Sequence, residues 1–146
     1  MEFVYKAIAA AAGAVISFFT GLPVIMWVLI GMMTLDYVTG IITGLMGVSS
    51  KTEGGKLSSG AAFKGILKKV GVLMVVLLSV LLDLAVANSA NVTFNAVTGA
   101  TCLWFIASEG VSVLENAAEL GVPIPGILRK ALEILKTGSE DDQGVA

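Results

Sequence analysis

From Val24 to Gly47 the chain is almost wholly apolar and carries one charged residue, Asp36. An α-helix needs about 20 mostly apolar residues to cross the hydrocarbon core of a bilayer. Two later runs meet the same length. They are Ile66–Ala87, with Lys68 and Lys69 at its start and Asp83 near its end, and Val92–Val113, with Glu109 near its end. A shorter, alanine-rich segment, Ala7–Phe19, comes first. None of the four alternates apolar and polar residues with period two. Lipid offers the backbone no hydrogen-bond partner, so only helices or closed barrels can span it, and the continuous runs choose helices. Composition agrees: 56% of the 146 residues are hydrophobic and 14% charged, with a mean hydropathy of +0.92. A soluble domain carries about 25% charged residues, and one small core cannot hide such an apolar excess.

The expected fold is therefore an all-α integral membrane protein with three to four transmembrane helices and a C-terminal amphipathic helix. The transmembrane part covers residues 1–120, with spans at about 7–22, 24–47, 66–87 and 92–113. A cytoplasmic amphipathic helix follows over 121–137, and an acidic disordered tail over 138–146. The first segment is short, and whether it spans, tilts or lies at the interface separates three spans from four. Thr20-Gly21-Leu22-Pro23 reads as a turn rather than as the cleavage site of a signal peptide. The 17 glycines suit membrane helices, where they permit close backbone approach.

With four spans, all nine basic residues fall on one side: Lys6, then Lys51, Lys56, Lys64, Lys68 and Lys69, then Arg129, Lys130 and Lys136. The basic side of a membrane protein is cytoplasmic, so both termini are expected inside. A three-span version moves only Lys6.

Asp36 is the costliest residue, because an ionised group at a helix centre costs about 2.5–3.5 kcal/mol to insert. Either it faces a wet lumen or an oligomer interface, or it is protonated or bonded to a hydroxyl such as Thr34 or Thr39 or to a neighbouring helix. Asp36, Gly40 and Gly44 share one stripe, with Thr39 and Thr43 beside it. That face is small and polar, a pattern that favours helix association or pore lining. Asp83 and Glu109, the other intramembrane acids, lie nearer span ends and are expected to reach interfacial water. Lys56, Lys64, Lys68 and Lys69 form a basic cytoplasmic face, suited to setting topology and attracting anionic headgroups or to pairing with an acid of a neighbouring subunit. Leu128, Ala131, Leu132 and Leu135 make the apolar stripe of the amphipathic helix, with Arg129 and Lys130 on its other side. It would lie on the membrane or cover the end of an assembly.

There is no histidine, and Cys102 is the single cysteine. No phosphate-cradling glycine loop is present. The reading is a non-enzyme that needs no metal or cofactor and binds no nucleic acid.

The segments LDYVTGIITG (Leu35–Gly44), KLSSGAAFKGILKKV (Lys56–Val70), LLDLA (Leu81–Ala85) and SEGVSVLENAAELGVPIPGILRKALEIL (Ser108–Leu135) together resemble the toxin-secretion/phage-lysis holins. The resemblance implies a homo-oligomer of the host bacterium's cytoplasmic membrane that permeabilises it at a set time. It also implies an endolysin, or a large exported toxin, as functional partner. By the same resemblance, Asp36, Lys64, Lys68 and Asp83 fall on recurring polar positions of the family. Two other readings stay open. A small ion channel or transporter would show a sharp size cutoff, and a membrane adaptor would bind a partner through Ile127–Lys136 without changing permeability.

Overall fold

The computed structural model describes residues 1–20, 22–90 and 95–141. Five α-helices account for most of them: α1 Glu2–Thr20, α2 Val24–Met46, α3 Ser59–Ala90, α4 Ala96–Glu119 and α5 Gly126–Asp141. Among the described residues no strand occurs. Three helices, α2, α3 and α4, are long and apolar enough to cross a membrane.

Local chemistry sets the boundaries. Pro23 precedes α2, where a missing N–H costs nothing. Gly47 ends α2 in the left-handed region at φ 73°, and Val48 N–H donates to Thr43 O at 3.0 Å, which closes the helix. Helix α3 starts seven residues earlier than the expected 66. The cause is Ser58, whose Oγ accepts the Ala61 N–H at 3.1 Å and caps a turn that hydropathy alone leaves in the loop. At about 1.5 Å per residue, its 32 residues extend about 48 Å, well beyond a hydrocarbon core of about 30 Å. Helix α4 begins at Ala96 and ends six residues past the expected 113; residues 92–94 lie outside the described residues. Gly121, at φ 79°, turns the chain out of α4. Helix α5 runs through residues 138–141, which the sequence assigned to the tail, while residues 142–146 lie outside the described residues.

Helix α4 is the axis of the fold: α2 and α3 both pack on it, α5 turns back beside it, and α2 and α3 touch each other only sparingly. The core brings Leu29 and Met33 of α2, Val72 and Val76 of α3, and Cys102 and Ile106 of α4 into one cluster. Outward faces stay apolar, as at Trp27, Val38, Leu73, Met74, Leu78 and Leu82. Burying them in lipid is what such a surface favours. Residues 2–13 of α1 are exposed throughout, with an ion pair between Glu2 and Lys6 at 3.5 Å.

The loop between α2 and α3 folds back over the bundle end. Leu57 N–H donates to Gly44 O at 2.8 Å, and Ser49 N–H to Gly55 O at 3.2 Å. Gly55 sits at φ 73°, and a Cβ there would lie 2.4 Å from the Gly47 carbonyl oxygen, so only glycine fits this crossing.

Candidate functional site

Each of the three long helices contributes one ionised residue to a single buried cluster. Lys69 of α3 stands at its centre. Its ammonium donates to Asp36 Oδ2 of α2 at 2.7 Å and, on the other side, to Glu109 Oε2 of α4. Glu109 is 4% exposed and Lys69 14% by side chain. Lys51, reaching in from the loop, lies 3.9 Å from Asp36 Oδ1. Two carboxylates thus face two ammonium groups, and the cluster carries no net charge.

Hydrogen bonds complete it. Asn116 of α4 is fully buried. Its Nδ2 donates to Asp36 Oδ1 at 3.2 Å, to Asp36 O at 3.3 Å and to Thr39 Oγ1 at 2.9 Å. Its Oδ1 accepts from Lys51 Nζ at 2.9 Å, and Lys51 also donates to Ser112 Oγ at 2.8 Å. At the helix end, Ser50 N–H and Oγ both donate to Glu119. Glu109, Ser112, Asn116 and Glu119 follow one another at three- and four-residue steps, so they form one polar stripe along α4.

The small face of α2 is used inside the chain. A Cβ on Gly40 would come 3.7 Å from Asn116 Nδ2, and one on Gly44 would come 3.0 Å from Leu57 Cβ. Thr43 is fully buried, its Oγ1 donating to Gly40 O at 2.9 Å. Thr39 likewise donates back to Leu35 O at 2.8 Å, and this leaves its oxygen free to accept from Asn116. Gly40 and Gly44 therefore seat α4 and the loop of the same chain.

Two expectations need correction. Asp83 and Glu109 were expected to reach interfacial water, yet they are 3% and 4% exposed. Glu109 is held by Lys69. Asp83 accepts the N–H of Val97 at 3.2 Å and of Thr98 at 2.8 Å, so a side chain from α3 caps the start of α4. Asn95, at the cap position itself, makes no side-chain cap. The basic face also divides: Lys69 turns inward, while Lys56, Lys64 and Lys68 stay exposed. On α5, Leu128 is 49% exposed, and Arg129 and Lys130 are exposed too. The side chains of Leu132 and Leu135 lie outside those described.

Sequence reasoning missed Lys51, Ser112 and Asn116 as site residues. The signal was present in the polar stripe of α4, an otherwise apolar helix. Above the cluster lies a cavity of about 440 Å3, lined by Asp36, Tyr37, Gly40, Lys51, Lys64, Lys68, Lys69 and Asn116 among others. Among the described residues no group of acids or cysteines is arranged to hold a metal ion.

The model of the bacteriophage holin family matches residues 13–137, a stretch that contains every member of the cluster. This chain belongs to the bacteriophage holin family. Among relatives of this chain, an uncharacterized protein of Clostridium perfringens is 42% identical over 101 residues, covering 69% of this chain and 67% of its own. A protein of Bacillus phage phi105 named as a probable holin is 32% identical over 109 residues, 75% of this chain and 76% of its own. An uncharacterized protein of Listeria innocua is 29% identical over 145 residues, 98% and 94% of the two chains. No solved structure matches this chain.

Proposed function

We propose that this protein works as a lysis holin: it accumulates in the bacterial cytoplasmic membrane, self-associates, and opens lesions that release an endolysin, or a large toxin, from the cytoplasm. The lysine-bearing end of the bundle and both termini face the cytoplasm, in keeping with the distribution of basic residues.

One observation carries the reading. The ionised residues of α2, α3 and α4 at the level of Asp36 are turned inward and neutralised within one chain, while apolar side chains face outward. A protein that accumulates harmlessly before acting needs such a resting form, with no charge toward lipid. The same cluster supplies the second state. When enough copies gather, Asp36, Lys69 and Glu109 exchange their intrachain partners for water in a shared lumen, and the apolar faces remain in lipid. Charged groups satisfied by ion pairs in one state and by water in the other make a two-state element rather than a gradual leak.

The test is inducible expression in a bacterium, with and without a cytoplasmic endolysin that lacks an export signal. Abrupt lysis only when both are present is the expected result. Loss of membrane potential with the endolysin retained would replace this reading by a small channel. No effect on either would leave a membrane adaptor.

A further inference from the structure

The cavity above the ion cluster is not a closed vestibule. Helices α2 and α3 touch only sparingly, and both line it. Beside it lies an apolar groove of about 270 Å3 between the same two helices, lined by Ile30, Met33, Ile66, Val70 and Leu73. Tyr37 and Lys69 line both compartments and mark their junction. In the larger cavity Lys64 and Lys68 stand on the wall.

The charges in that cavity do not balance. Asp36 and Glu109 are already matched by Lys69 and Lys51. Lys64 and Lys68 are one helical turn apart on α3, and among the described residues neither has an acidic partner. Like charges at that spacing repel, and an anion between them would relieve it. The walls beside them are small (Ala61, Ala62 and Gly65), so there is room for a headgroup. Tyr37, whose ring lies 3.5 Å from where a Gly65 Cβ would be, lines both compartments. The groove, about 270 Å3, is smaller than one turn of a second copy's helix, which is about 10 Å across and 5.4 Å long and occupies at least about 400 Å3. Part of an unbranched acyl chain is the thinner occupant.

We propose that the cleft between α2 and α3 binds one anionic phospholipid, its phosphate held by Lys64 and Lys68 and an acyl chain lying along Ile66, Val70 and Leu73. This goes beyond the holin reading and does not depend on it, since it is tested by binding. The purified full-length protein in detergent is titrated with phosphatidylglycerol or phosphatidylcholine of identical acyl chains, and bound lipid is counted by native mass spectrometry. One phosphatidylglycerol per chain is expected to stay bound and phosphatidylcholine to be lost. The Lys64→Gln/Lys68→Gln variant should weaken retention roughly thirtyfold, at about 1 kcal/mol per lysine. Val70→Trp, which fills the groove and keeps both lysines, should also release the lipid, and Lys6→Gln on α1 should not. Equal retention of both lipids, equal loss in Lys6→Gln, or full competition by inorganic phosphate alone would overturn the proposal. So would a chain-to-chain cross-link through a cysteine placed at Ile66.

Discussion

Asp83 of α3 holds the first turn of α4: its Oδ2 accepts the Thr98 N–H at 2.8 Å, and its Oδ1 accepts that of Val97 at 3.2 Å. Helix starts leave N–H groups without partners, and in lipid no water is at hand to supply them. Asp83→Ala should therefore cost about 1–2 kcal/mol of stability. Asp83→Asn, which keeps an acceptor, should cost less. Thermal unfolding in detergent checks this, and an alanine variant as stable as the native chain would show that the cap contributes nothing.

Lys69 stands between two carboxylates from two different helices. Removing it alone leaves both acids buried and uncompensated, so Lys69→Met should destabilise the bundle by about 3–5 kcal/mol. Replacing all three, as Lys69→Met with Asp36→Leu and Glu109→Leu, should recover most of that loss, since apolar side chains can substitute for a buried ion network. If the cluster also provides the open state, the triple variant will be stable and will not lyse. A triple variant that still lyses on time would separate the cluster from function.

Lys51 and Asn116 belong to one hydrogen-bond network although they come from the loop and from α4. In a double-mutant cycle with Lys51→Met and Asn116→Leu, their effects should not add, with a coupling on the order of 0.5–3 kcal/mol. Simple additivity, measured by equilibrium unfolding, would mean that the loop lysine merely lies near its partner.

Gly54 and Gly55 both have positive φ, yet a Cβ on Gly54 meets nothing within 4 Å while one on Gly55 strikes the Gly47 carbonyl. Gly55→Ala should therefore lower the melting temperature clearly more than Gly54→Ala. Equal effects would show that backbone conformation alone sets the cost.

The helical membrane class was legible from unbroken apolar runs, and α2 was legible almost to the residue because Pro23 and Gly47 punctuate it. Where α3 starts was not, since a serine cap carries no hydropathy signal. Asp36 stood out because it is a lone charge in an apolar run. Its partner did not: Lys69 lies beside Lys68 in a basic stretch whose other members face outward, and periodicity on one helix cannot say which lysine meets an acid on another. The small face of α2 was legible as a stripe, but not that α4 and the loop of the same chain lie against it.

The cluster also imposes an order on biosynthesis. Asp36 leaves the ribosome first, Lys69 follows 33 residues later and Glu109 a further 40. The carboxylate of a nascent α2 thus meets its first counter-ion, Lys51, in the following loop and its second, Lys69, with α3, and the charges balance only when α4 brings Glu109. A chain that stops short of Glu109 and Asn116 cannot complete the cluster, so the bundle's charges balance only once all three long helices are made.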